Sequence, residues 1–137
     1  MARVQVVGHV QGGIESVWEL IGDFGGLEKL ALGVESCTVK GSGVGAERTL
    51  TFPNNNIVVE RLESHDPVAK TFSYSIVRGG MPISNYLGLV RLTPNSASET
   101  TVELSCTFDP AGMPEALATD AISGGYRGIL KALQSRI

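Results

Sequence analysis

The stretch that decides the fold is ERTLTFPNNNIVVERL, residues Glu47–Leu62, in which two β-prone runs flank a proline-asparagine turn. Placing the turn at residues 53–55 sets Arg48 opposite Glu60 on paired antiparallel strands, so opposite charges meet. A shift of one residue would set Arg48 against Arg61, and like charges that face each other destabilise a sheet. The sequence therefore predicts a hairpin in which Arg48 and Glu60 point to the same face.

The alternation of this hairpin extends over most of the chain. From residue 34 to residue 108 the apolar positions follow a period of two, which predicts six consecutive antiparallel strands. Turn sequences separate them: GSG at 41–43, PNN at 53–55, DP at 66–67, GGMP at 79–82 and PNS at 94–96. The first of these belongs to the glycine-rich run 41–45, which lacks the Lys-Ser/Thr of a phosphate-binding loop and is predicted to be a hairpin turn.

Helical patterns lie on both sides of these strands. Residues 2–10 are β-prone and form a first strand, residues 14–21 have helical spacing, and residues 23–32 suit a second short helix. Residues 113–136 form a long C-terminal helix. We therefore expect an α+β fold in a single domain, residues 1–137, with a curved seven-stranded antiparallel sheet wrapped around the C-terminal helix and two short helices between strands 1 and 2.

The parity of the hairpin, carried through the other turns, separates two faces of the sheet. Even-numbered positions are mostly apolar and form the inner face, while most odd-numbered positions are polar. The inward polar exceptions are Arg48, Glu60, Tyr74 and Tyr86. A buried unpaired charge costs several kcal/mol, so these side chains must pair with each other or face a ligand.

The C-terminal helix contains three glycines, Gly124, Gly125 and Gly128, inside its helical pattern. Each costs about 1 kcal/mol relative to alanine in a helix. Two explanations stay open at this point: the helix backbone lies close on the sheet, or the small residues keep a cavity open between helix and sheet.

Charge and composition limit the partners. The formal net charge is −3 and the basic residues are scattered, so neither nucleic acid nor a membrane surface is an expected partner. No apolar run is long enough for membrane insertion, and no secretion signal is visible, so we expect a cytoplasmic protein. Cys37 and Cys106 lack metal-ligand spacing with His9 or His65, so no metal and no cofactor is predicted, and both thiols are expected to be reduced and buried.

Five motifs, in this order along the chain, carry a family resemblance. They are VWELIGDFGGL at 17–27, GAER at 45–48, VERL at 59–62 followed by Asp66, FSYSI at 72–76 and MPISNY at 81–86. Together they resemble the START-related SRPBCC superfamily, in its polyketide cyclase/dehydrase-like branch. The resemblance covers nearly the whole chain and implies a helix-grip fold that encloses a pocket for an apolar or amphipathic small molecule.

Within that branch the chain is similar to the lachrymatory factor synthases, whose implicated arginine, glutamate and tyrosine would fall on Arg48, Glu60 and Tyr86. The resemblance implies cofactor-free proton transfer, such as isomerisation, dehydration or aldol-type cyclisation. Arg48 would bind an oxyanion, Glu60 would act as general acid or base, and Tyr86 would donate a hydrogen bond. The same superfamily contains carriers and ligand sensors, in which Arg48 and Glu60 would only pair.

The primary prediction is thus a carrier or sensor that binds a small hydrophobic or amphipathic ligand, and catalysis is the alternative. The residues expected to contact the ligand are Leu27, Leu30, Phe52, Val58, Phe72, Tyr74, Val90, Leu104, Phe108, Leu117 and Ile122. The chain is expected to be a monomer or a homodimer. Four odd-numbered apolar residues on the outer face could form a dimer patch or be ordinary exposed side chains: Ile57, Val59, Leu87 and Leu89.

Overall fold

The structure is a computed structural model that describes residues 1–31 and 33–137. The strands are β1 (Ala2–Val10), β2 (Ser36–Lys40), β3 (Glu47–Phe52), β4 (Asn56–Asp66), β5 (Thr71–Gly79), β6 (Ile83–Ser96) and β7 (Glu99–Pro110). The α-helices are α1 (Ile14–Ile21) and α2 (Glu115–Arg136), and 3-10 helices span Phe24–Lys29 and Pro53–Asn55. Leu32, the last residue of the predicted second helix, lies outside the described residues.

The strands form one antiparallel sheet in the order β1-β7-β6-β5-β4-β3-β2. The predicted register of the central hairpin is confirmed, because Arg48 lies opposite Glu60 and Phe52 opposite Asn56. The architecture is the predicted helix-grip arrangement, with short helices before β2 and a long helix at the C-terminus.

Bulges interrupt the alternation in β4, β5 and β6. Opposite β5 the register shifts between Val59 and Glu60, where Val77 has no partner, and again between Leu62 and Ser64. Val59 itself stays paired with Thr49 on β3 and Arg78 on β5, and it is buried, at 3% exposure. The expectation that Val59 belongs to an exposed outer patch is therefore wrong: the residue keeps its odd-numbered face, opposite Thr49 and Arg78, but its side chain is covered there.

Two of the other three residues of that patch are exposed. Ile57 and Leu87 are 44% and 47% exposed, and Leu89 is half-buried.

Cys37 and Cys106 are both free; Cys106 is buried, whereas Cys37 is only half-buried. No helix within the described ranges is long and apolar enough to cross a bilayer.

The C-terminal half of α2 packs closely on β1. The small residues at this contact belong to the N-terminal segment and not to the helix. A Cβ on Gly8 would lie 2.8 Å from Leu130 Cδ1, and one on Gly12 would lie 2.6 Å from Ile137 Cγ2. The side chains of α2 therefore reach the backbone of the N-terminal segment at one end of the helix. The middle of the helix is lined by glycine, and a cavity lies there between helix and sheet.

Candidate functional site

A cavity of about 430 Å³ lies between the inner face of the sheet, the 3-10 helix Phe24–Lys29 and the middle of α2. Most of its wall is apolar, and among the described residues Arg48 and Glu60 are the only charged side chains that line it. The apolar and small residues of the wall include Ile21, Leu27, Leu50, Phe52, Val58, Phe72, Ile76, Met81, Ile83, Val90, Leu104, Ile122 and Ile129. A few polar groups in such a wall would orient a ligand.

The hairpin β3–β4 positions the ion pair in the wall of this cavity. Arg48 Nε donates to Glu60 Oε1 at 2.8 Å, and Nη2 lies 2.7 Å from the same oxygen. Nη1 donates to the carbonyl oxygen of Phe24 at 3.1 Å. The guanidinium carbon also lies 4.2 Å from the centre of the Phe24 ring and 5.1 Å from that of Tyr74. Arg48 is thus buried, at 3% exposure, with contacts to protein groups on several sides.

Glu60 keeps one carboxyl oxygen free. Both contacts from Arg48 go to Oε1, and Oε2 accepts no hydrogen bond from residues 1–31 or 33–137. Since these residues contain no fully buried side-chain oxygen without a partner, Oε2 is accessible from the cavity. Burial raises the pKa of the Glu60 carboxyl above its ordinary value, and the adjacent Arg48 offsets this only in part.

The three tyrosines of the chain meet in the same cavity. Tyr74 and Tyr86 come from adjacent strands, and their hydroxyls lie 3.0 Å apart. The Tyr86 hydroxyl lies 2.5 Å from that of Tyr126 on α2, which in turn donates to the carbonyl oxygen of Ser105 at 3.5 Å. Burial is the main cause that raises the pKa of each phenol, for Tyr74 to about 12, so all three are hydrogen-bond donors at neutral pH.

A glycine in β6 sets the position of Tyr74. Gly88 lies opposite Tyr74 across the β5–β6 pair. A Cβ on Gly88 would lie 2.5 Å from Tyr74 Cζ and 2.8 Å from its hydroxyl oxygen. Both distances are shorter than the contacts that Cβ atoms make in proteins. The missing side chain therefore lets the Tyr74 ring lie across β6 toward the hydroxyl of Tyr86.

The glycines of α2 lie along the cavity, and Gly124 and Gly125 are themselves exposed. Gly124, Gly125 and Gly128 all line it, and a Cβ on any of them would meet nothing within 4 Å. None of the three has a positive φ. Of the two explanations left by the sequence, close packing on the sheet is therefore excluded, and the helix surface faces open space at these positions.

Most of the predicted site residues lie together at this cavity. Arg48, Glu60 and Tyr86 line it, and so do eight of the predicted ligand contacts: Leu27, Phe52, Val58, Phe72, Tyr74, Val90, Leu104 and Ile122. Three predicted contacts do not line it, namely Leu30, Phe108 and Leu117.

These three exceptions have local causes. Leu30 follows the end of the 3-10 helix at Lys29 and leaves the face that Leu27 occupies, so it packs in the core at 3% exposure. Phe108 lies near the end of β7 beside β1 and is fully buried in the core. Leu117 is 57% exposed, because the buried stripe of α2 begins at Ala118, about 100° further around the helix.

Tyr126 was missed by the sequence analysis. It lies four residues after Ile122, and both belong to the buried stripe of α2. The signal that could have found it is this spacing, together with the inward direction that parity gives to Tyr74 and Tyr86.

Within the described part of the chain no group of three or more His, Cys, Asp or Glu side chains could hold a metal ion.

Comparisons with known proteins agree with this geometry. A family model described as "Polyketide cyclase / dehydrase and lipid transport" matches residues 1–137. The protein XoxI from Bacillus cereus has a TM-score of 0.92 and 30% identity, covering 99% of this chain and 95% of that protein. A protein from Bacillus thuringiensis has a TM-score of 0.91 and 29% identity, covering 98% of both chains.

The aromatase/cyclase ZhuI from a Streptomyces species shares the fold at lower sequence identity. Its TM-score is 0.82 at 16% identity, covering 98% of this chain and 92% of that protein. No curated protein matches the sequence.

Proposed function

The chain belongs to the polyketide cyclase/dehydrase and lipid transport family, and on that premise we propose that it binds a small hydrophobic or amphipathic molecule in the cavity under α2. The observation that carries the proposal is a cavity of about 430 Å³ whose mostly apolar wall includes one ion pair and three tyrosines. Burial of apolar ligand surface would supply the affinity, at about 25 cal/mol per Å². The polar groups would orient the ligand.

The open surface at the α2 glycines supports this use of the cavity. A helix of this length would be more stable with alanine at Gly124, Gly125 and Gly128, by about 0.5–1 kcal/mol each. The space they leave has no other occupant among the described side chains. A ligand that fills this space would compensate for the lower helix stability of the glycines.

Binding can be tested with Nile red, an uncharged dye that fluoresces in apolar surroundings. We expect saturable fluorescence with the wild type and at least about a tenfold loss of affinity for Gly125→Leu, which adds a large side chain to the cavity wall. The matched control is Ala121→Leu, which places the same leucine side chain at an exposed position of the same helix outside the cavity. Equal binding by both variants would contradict the proposal.

A second candidate function, cofactor-free proton transfer, is favoured by the free oxygen of Glu60. A carboxyl with a raised pKa and one accessible oxygen can take a proton from a carbon between two carbonyls. The protonated phenol of Tyr74, at the end of the series of hydroxyls, could then donate a hydrogen bond to the enolate oxygen. Return of the proton from Glu60 to another position of the enolate would isomerise it, and this step needs no nucleophile.

Deuterium exchange into benzoylacetone, a neutral diketone, tests this candidate. If Glu60 is the base, the wild type accelerates the exchange and Glu60→Gln loses about a hundredfold or more of that rate. The control is Glu63→Gln, which makes the same change of charge at an exposed position of the same strand. A carrier would instead show no acceleration, and Glu60→Gln would bind Nile red within about tenfold of the wild type.

A further inference from the structure

All three nitrogens of the Arg48 guanidinium already contact protein groups. Its Nε and Nη2 contact Glu60 Oε1, and its Nη1 donates to the Phe24 carbonyl oxygen. Its charge is balanced by Glu60, and its guanidinium lies against the rings of Phe24 and Tyr74. The family resemblance implies that Arg48 binds an oxyanion; in the structure without a ligand, its contacts are with Glu60, Phe24 and Tyr74.

The polar groups that reach the cavity are therefore a carboxyl and phenols. Glu60 Oε2 is accessible there, and the Tyr74, Tyr86 and Tyr126 side chains form part of the same wall. No second cationic side chain of residues 1–31 or 33–137 lines the cavity. An anionic ligand would lose its hydration next to Glu60 without gaining a free cation, and such a buried charge is unfavourable.

We propose that the cavity selects an uncharged ligand whose polar end is a hydroxyl or carbonyl group, and discriminates against carboxylates, sulfates and phosphates. This inference rests on the proposed ligand-binding function. A ligand hydroxyl can donate to Glu60 Oε2, and a carbonyl can accept from a tyrosine hydroxyl. Glu60 is the specificity-determining residue, because it both neutralises Arg48 and presents its second oxygen to the ligand.

The test compares n-decanol with decanoate, which share one chain length and differ in charge at about pH 8. Each is used below its micelle-forming concentration to displace Nile red from the wild-type protein. We expect decanol to bind at least about tenfold more tightly than decanoate. Equal or tighter binding of decanoate would overturn this inference and leave ligand binding in place, whereas a protein that binds neither Nile red nor decanol would overturn the proposed function itself.

Glu60→Gln tests the residue responsible. This variant leaves Arg48 without its charged partner, so the preference should shift toward decanoate by about tenfold or more relative to the wild type. Glu63→Gln is the matched control and should keep the wild-type preference, because Glu63 is exposed on the same strand. An unchanged preference in folded Glu60→Gln would contradict the role given to Glu60. If that variant does not fold, the wild-type comparison alone decides between the two ligand classes.

Discussion

Two nitrogens of Arg48 contact a single oxygen of Glu60: Nε at 2.8 Å and Nη2 at 2.7 Å from Oε1. The pair is buried, and removing one member of a buried pair leaves an uncompensated charge. We expect Arg48→Met to lower the free energy of unfolding by about 3–5 kcal/mol, as measured by urea denaturation.

The double variant Arg48→Met/Glu60→Leu is the control for this prediction. It removes both charges, so it should recover much of the stability that the single variant loses. A single-variant loss below about 1 kcal/mol would show that Glu60 is hydrated well enough to need no partner.

The raised pKa of Glu60 gives the stability a defined pH dependence. Folded Glu60 holds its proton at pH values where the unfolded chain has released it, so this group contributes most below its ordinary pKa of 4.5. Its contribution is lost as the pH rises from that value through the higher pKa of the folded chain. Compared with Glu60→Gln, which does not titrate, the wild type should therefore lose unfolding free energy across this window. The prediction would be contradicted if the unfolding free energy of the wild type, minus that of Glu60→Gln, stayed constant or increased as the pH rises.

The glycines of α2 should be replaceable by alanine at a gain. Gly125→Ala places a methyl group where nothing lies within 4 Å, so only the helix propensity changes. We expect unfolding free energy to rise by about 0.5–1 kcal/mol, measured by thermal or urea denaturation. A loss of stability would mean that the helix lies closer to the sheet than the described cavity allows.

The same substitution at Gly88 should have the opposite effect. There the added Cβ would lie 2.5 Å from Tyr74 Cζ, so the ring or strand must move. We expect a loss of about 1–3 kcal/mol, as for other overpacked sites. In a Tyr74→Leu background, where the ring is absent, Gly88→Ala should lower the free energy of unfolding by less than it does in the wild type. Gly88→Ala at wild-type stability would contradict the close approach.

The tyrosines should not ionise in the folded protein at the pH of a free phenol. All three have a raised pKa, with Tyr74 at about 12. Tyrosinate absorbance should therefore be absent at about pH 10 in the folded chain and appear there in the urea-unfolded chain. Because the chain has only 3 tyrosines, the signal has no other phenolic source. Titration of one full phenol near pH 10 before unfolding would contradict the buried arrangement.

Sequence reasoning reached the ion pair because charge and parity both restrict it. The register that pairs Arg48 with Glu60 avoids the repulsion of Arg48 and Arg61, and the structure has that register. By contrast, alternation assigns Val59 to a face of the sheet but does not give its exposure, so its burial could not be predicted from parity.

The phase of α2 was harder to predict than its existence. Leu117 and Ile122 are both apolar, yet they lie on different sides of the helix, and only Ile122 reaches the cavity. The tertiary contacts of the helix with β1, such as that of Leu130 with Gly8, determine which side faces inward. Tyr126 lies on the same inward side of the helix as Ile122, four residues earlier, once these contacts have set the rotation.

Hydroxyl groups both donate and accept, and the Tyr74–Tyr86–Tyr126 arrangement consists of hydroxyls alone. When Tyr126 donates to the Ser105 carbonyl oxygen, each preceding phenol donates to the next, and Tyr74 keeps only its lone pairs for a guest. When the O–H bonds of all three phenols rotate, each phenol donates to the preceding one and Tyr74 ends the series as a donor instead. One set of atomic positions can thus accommodate either an alcohol or a ketone by turning protons alone.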